Sequence, residues 1–208
     1  TCALPISVGE INMLSQQIAE LNGRIRLAQH NPLQPPNDLL DQRDALIGRL
    51  NAFTGATVVT QSDGSLNVVI GNGQNLVVGD RAIALAAVTS AEDPTRRDVA
   101  YVTGGSNVIL TAASLHNGSL GALLAFRAGD LDAAQNALGR VAVGLAQTVN
   151  DQHRLGQDMT GAPGGNFFGA PTLAATARAT NAGSAVVTAT LASAGALTTS
   201  DYRVVYTG

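Results

Sequence analysis

An α+β fold is what this sequence predicts: an elongated bundle of coiled-coil-like helices with a small β-domain inserted between them and the start of a second β-unit. Two shifts of hydrophobic period carry that reading. Apolar residues recur at intervals of three and four before Thr54 and again after Asn117, whereas the chain between them breaks into short runs of Val, Ile, Thr and Leu. A third observation agrees. Hydrophobic residues make up 45% of the chain but aromatics only 3%, with no Trp. A core of Ala, Leu, Val and Ile suits helix seams and thin sheets better than ring-lined ligand pockets.

The first helix carries Ile11, Leu14, Ile18, Leu21, Ile25 and Ala28 on one narrow seam. The prolines Pro32, Pro35 and Pro36 stop it, and Asn37 or Asp38 is placed to cap the next helix. That second helix aligns Leu39, Leu46, Leu50 and Phe53, with Leu40 and Ile47 beside them, and ends at Thr54-Gly55. From Ala56 to Leu115 strands are expected at 57–60, 66–70, 76–78, 99–103 and 108–110. Asp63-Gly64 and Asn72-Gly73 mark two tight turns between them. The polar stretch 90–98 reads as a solvated loop.

A third, longest helix follows Asn117-Gly118, capped by Ser119, with Leu120, Leu124, Leu131, Ala134, Leu138, Val141 and Leu145 as its seam. Gly121, Gly129, Gly139 and Gly144 weaken it, each by about 1 kcal/mol relative to Ala, so packing against the first hairpin is expected to stabilise it. The helical bundle therefore takes 8–54 and 117–156, and the inserted β-domain 55–116. A Gly- and Pro-containing linker spans 157–180, and 181–208 is a partial second β-domain with strands at 186–191 and 202–206. The abrupt opening and close point to a fragment.

Composition removes whole classes of chemistry. All basic residues are Arg, so a P-loop lysine, a Schiff base and lysine-assisted serine catalysis are excluded by inventory. Charged residues are 13% of the chain and the formal net charge is -3, with no basic patch for nucleic acid. Cys2 stands alone, which excludes an internal disulfide and a cysteine-based zinc site. Apolar runs such as Val141 to Ala146 are too short to insert in a membrane, and the first residues lack the pattern of a signal peptide.

Candidate sites weigh toward structure. His30, His116 and His153 lie far apart, none with a second ligand at metal spacing. Gly104-Gly105-Ser106 reads as a turn between strands and not as a nucleophile elbow. Gly71-Asn72-Gly73 opens like a dinucleotide fingerprint, but Leu76 stands where its third Gly belongs, between strands. Asp38, Asp41 and Asp44 suit the positive end of a helix, with Arg43 and Arg49 as local partners, more than acid–base work. The loop from Asp158 to Gly165 lacks the alternating ligands and closing Glu of a calcium loop. No catalytic, cofactor-binding or metal-binding residue is assigned, and no enzyme activity is expected.

Two sequence blocks carry a family resemblance. Pro36-Asn-Asp-Leu-Leu-Asp-Gln-Arg-Asp-Ala-Leu-Ile47, preceded by Ile18-Ala-Glu-Leu-Asn22, is similar to the first hook-associated protein family of bacterial flagella. Gly118-Ser-Leu-Gly-Ala-Leu-Leu-Ala-Phe-Arg127, then Leu131-Asp132, Leu138-Gly139, Leu145-Ala146, Val149-Asn-Asp-Gln-His-Arg-Leu-Gly-Gln-Asp158 and Phe167-Phe168, resembles that family's long helix and the segment after it. The closing Ala196 to Val205 is more loosely similar to the start of a further β-domain there. The resemblance implies a structural junction subunit between hook and filament. It would be exported by the flagellar secretion apparatus and stacked in a ring with itself, next to hook protein and a neighbouring hook-associated protein, outside the cell. The family's terminal helices, which make the main axial contacts, find no match here. Other axial subunits such as flagellin, or a hydrolase domain of flagellar assembly, are the alternatives.

Overall fold

The computed structural model describes residues 3–29, 36–170, 175–178 and 180–205. The predicted turn between the first two helices falls on 30–35, outside those residues. The chain forms two compact units, Thr1–Phe126 and Arg127–Gly208.

In the first unit, α1 (Ala3–Ala28) buries Val8, Ile11, Leu14, Ile18, Leu21 and Ile25 on one face. This is the spacing-three-and-four seam read from sequence. Helix α2 (Asn37–Thr54) packs on α1 and buries Leu50 fully, with Leu46, Ile47 and Phe53 packed against the core at partial exposure. Its start differs from expectation. Neither Asn37 nor Asp38 caps it; the Pro36 carbonyl accepts the amides of Leu39 and Leu40 at 3.0 and 3.1 Å, so the otherwise free Leu39 donor is met by a tight first-turn backbone bond. Its end is as predicted: Gly55 is left-handed at φ 60°, and its amide donates to the Asn51 carbonyl at 2.7 Å.

Two antiparallel sheets follow. The first has the order β1 (Thr57–Thr60), β2 (Leu66–Ile70), β3 (Gln74–Val78), β4 (Arg81–Ala82), with an irregularity at Val68/Val69. The second runs β5 (Leu85–Thr89), β6 (Arg97–Thr103), β7 (Ser106–Leu110). Both turns expected at Asp63-Gly64 and Asn72-Gly73 join neighbouring strands. Strands β4 and β5 go beyond the sequence reading, and Arg97 and Asp98 belong to β6 instead of the preceding loop.

Residues 55–116 do not keep a core of their own. Val68, Ile70, Leu76 and Val77 of the first sheet and Leu85, Val99 and Leu110 of the second join Ile11, Leu14 and Ile18 of α1, Leu50 of α2, and Leu120 and Leu124 of α3 (Gly118–Phe126) in one cluster. Where the chain leaves and rejoins the helices, backbones nearly touch. A Cβ on Gly118 would lie 2.4 Å from the Phe53 carbonyl, and one on Gly55 2.1 Å from Asn117 Cβ, so only glycine fits either position.

The second unit opens with a π-helical turn, Arg127–Leu131, followed by α4 (Asp132–Arg154). The expected single long helix is thus interrupted at a stretch containing Gly129, where helix propensity is lowest. The third seam is buried only in its first part: Leu120 and Leu124 lie in the core of the first unit, whereas Leu138, Val141 and Leu145 of α4 are 71, 63 and 59% exposed. Nor do 186–191 and 202–205 form strands. A strand exists only through a ladder partner, and within the described residues these runs have none; Tyr206 lies outside them. Tyr202 Oη instead lies 2.9 Å from Thr198 Oγ1, closing a local turn.

Candidate interaction surface

Chemistry-bearing side chains stay dispersed. Among the described residues no three of His, Cys, Asp and Glu gather in a metal-binding group. His116 sits before α3, and His153 near the end of α4 places Nδ1 2.8 Å from the Gly165 carbonyl and its ring 5.8 Å from that of Phe167. His30 is outside the described residues. Asp38, Asp41 and Asp44 are exposed on the first turns of α2. Arg43 Nε lies 3.9 Å from Asp44, but Arg49 pairs with Glu10 of α1 at 2.9 Å, a cross-helix bridge and not the local one expected. Gly104 and Gly105 both have positive φ in the turn before β7, and Gly71 to Gly73 form the turn before β3.

Asp158 spends its Oδ1 on its own loop. That oxygen accepts from the Thr160 amide at 2.8 Å, the Thr160 hydroxyl at 2.7 Å and the Ala162 amide at 2.9 Å. These bonds, the Thr160 hydroxyl first, hold its carboxyl below the ordinary carboxylate range. The same pattern recurs at Asp63, held down by the Ser65 hydroxyl, and at Asp93, held down by the Thr95 hydroxyl. Each anchors a turn.

What the side chains do build is a set of amide clamps that periodicity did not reveal. Asn12 of α1 donates Nδ2 to the Leu85 carbonyl at 2.8 Å and accepts the Leu85 amide on Oδ1 at 2.8 Å, pairing with β5 as another strand would. Asn22 treats Leu66 alike, at 2.8 and 3.2 Å, and also donates to the Gly79 carbonyl at 2.7 Å. Arg43 of α2 completes this buried centre, its Nη1 donating to Asn22 Oδ1 at 3.2 Å and to the Gly64 carbonyl at 3.0 Å. Burial pushes the Arg43 pKa down while the Asp44 charge pulls it up. In the second unit Asn150 grips Phe168 in the same two-bond manner, at 3.0 and 2.8 Å.

Helix α4 presents two faces of opposite character. On one, Asn136 donates to the Thr199 carbonyl and to Asp201, Arg140 to the Leu197 carbonyl, and Gln147 accepts the Ala194 amide, so the extended chain after the helix is held by polar bonds. On the other, Leu138, Val141 and Leu145 recur at spacings of three and four and stand in solvent.

The flagellar hook-associated protein FlgK helical domain matches residues 3–168. Flagellar hook-associated protein 1 of Escherichia coli is 41% identical over 204 residues, which cover 97% of this chain and 37% of that protein. Its counterpart in Salmonella typhimurium is 40% identical over 209 residues, covering 99% and 38%. The structure of the flagellar hook junction protein FlgK from Burkholderia pseudomallei superposes with a TM-score of 0.85 at 40% identity, over 95% of this chain and 36% of that one. The chain spans less than two-fifths of the length of these relatives, and across that span it belongs to the flagellar hook-associated protein FlgK family.

Proposed function

We propose that this chain is a structural segment of the subunit that joins the flagellar hook to the filament, acting through shape and contact without catalysis. Its 40% identity and TM-score of 0.85 to a solved hook junction protein support the reading most directly. Function at a junction needs a rigid body with complementary faces, and the single core shared by the helices and sheets of the first unit supports such a body. In this proposal the subunit is exported by the flagellar secretion apparatus to the cell exterior, self-associates in a junction ring, and contacts hook protein on one side and a neighbouring hook-associated protein on the other. Coiled-coil-like helices carry the axial load, with the α4 stripe of Leu138, Val141 and Leu145 buried in the assembled bundle, and the β-segment 55–116 projects as a side element.

The test is a motility complementation with the full-length protein that carries this chain. Leu138→Asp with Val141→Asp should abolish swimming and leave filaments detached, while the circular dichroism of the purified protein is unchanged. Asp38→Asn with Asp41→Asn and Asp44→Asn should swim normally. Full motility of the first variant would defeat the contact reading.

A further inference from the structure

The chain contains three Asn-Gly pairs, Asn22-Gly23, Asn72-Gly73 and Asn117-Gly118, and the fold puts them in very different settings. An Asn-Gly pair is chemically labile because the glycine amide nitrogen, unshielded by a side chain, can attack the asparagine Cγ. That attack forms a Cγ–N bond and expels the side-chain nitrogen as ammonia, leaving a five-membered succinimide. Water then opens either ring carbonyl and yields aspartate or isoaspartate. The reaction needs a side-chain amide free to swing and a backbone free to turn toward it.

Asn72 meets both conditions. It is exposed at the centre of the turn between β2 and β3, and its side-chain amide makes no hydrogen bond among the described residues. Gly73 is likewise exposed, with φ at +106° and nothing within 4 Å of a Cβ built on it. Two exposed turn bonds restrain the backbone here, from the Gly73 amide to the Ile70 carbonyl at 3.2 Å and from the Asn72 amide to Gln74 Oε1 at 3.1 Å, and neither engages the Asn72 side chain. Asn22 is the opposite case. It is buried inside α1, where the helix fixes the backbone, and both of its side-chain polar atoms are engaged by Leu66, Gly79 and Arg43 at 2.7 to 3.2 Å. Asn117 falls between them, exposed to solvent but with its Cβ pressed against Gly55.

We infer that Asn72 is a site of spontaneous succinimide formation and isoaspartate conversion, and that the α1 clamp withholds the equally susceptible Asn22 pair from the same reaction. Conversion of Asn72 puts a negative charge, and in the isoaspartate form an extra main-chain carbon, into the hairpin that carries β2 and β3.

The experiment ages the folded 208-residue chain at mildly alkaline pH and follows each tryptic peptide by mass spectrometry, reading loss of ammonia and then gain of one mass unit. The same incubation is run in urea. In the native chain, conversion at Asn72 should outpace that at Asn22 by about tenfold or more, because Asn22 reacts only after local opening. In urea the two rates should converge, and Gly73→Ala should slow Asn72 alone. Comparable native rates at the two sites, no conversion at Asn72, or a ratio indifferent to unfolding would each overturn the inference.

Discussion

Ser15 and Asn22 each follow a seam leucine by one position, which places a polar side chain on the buried face of α1. There they have opposite fates. Asn22 is satisfied by Leu66, Gly79 and Arg43, whereas Ser15 Oγ is fully buried without a partner among the described residues. Replacing Asn22 by Ala should destabilise the chain by about 3 kcal/mol, since it strands the Leu66 amide and carbonyl and an Arg43 donor in the interior. Ser15→Ala should be neutral or stabilising by up to about 1 kcal/mol, because it removes an unpaired hydroxyl. Urea unfolding of the two variants decides this: equal losses would mean that the Asn22 bonds contribute nothing beyond side-chain volume. The clamps were legible only as an oddity, a polar residue beside a seam. Periodicity shows which face is buried, but the partners of Asn22 lie 44 and 57 residues away in sequence, and no local pattern encodes them.

At the scale of elements, periodicity read α1 correctly and α4 only halfway. Ile18 and Leu138 occupy equivalent seam positions in sequence, yet Ile18 is fully buried and Leu138 is 71% exposed. Ile18→Asp should therefore cost about 4 kcal/mol or more through a buried unpaired carboxylate, and Leu138→Asp within about 0.5 kcal/mol of nothing. Thermal melts of this chain that shifted equally for both would contradict the assigned burial. Strands β4 and β5 escaped notice because Ala82 to Ala87 is mostly alanine, a residue with little strand preference; their place is set by β3, β6 and the Asn12 clamp. The runs at 186–191 and 202–205 show the converse, for β-branched residues alone make no strand.

The aspartate-anchored turns add a pH dependence at this same scale. Asp63, Asp93 and Asp158 have folded pKa values lowered below the unfolded reference, chiefly by the hydroxyls of Ser65, Thr95 and Thr160. A lowered folded value means that the stabilisation is present above the unfolded pKa, about 3.9 for aspartate, and is lost as pH falls through the folded value. Stability from these turns should thus hold from neutrality down to mild acid and decline only in stronger acid. Asp63→Asn should flatten part of that decline in urea titrations taken at successive pH values. An unchanged acid limb would remove Asp63 from the account.

For the molecule as a whole, the sequence sets residues 55–116 apart as an inserted β-domain, with Gly55 and Gly118 at its two ends. The ends do meet, but the core argues against removal. Ile11, Leu14 and Ile18 of α1 share one cluster with Val68, Leu76, Leu85 and Val99, so the sheets are the surface on which the helical seam is buried. Helices of this length depend on packing of an apolar face, not on propensity alone. Replacing Ala56 to Leu115 by a short Gly/Ser linker should therefore abolish most of the helical circular dichroism of α1 and α2 and the cooperative thermal transition with it. Exposing several large aliphatic side chains at roughly 2 kcal/mol each is comparable to the entire stability of an ordinary domain. Should the shortened chain keep its helicity and melt cooperatively, α1 and α2 would have to bury their seams against each other alone, and the shared core would have no energetic meaning.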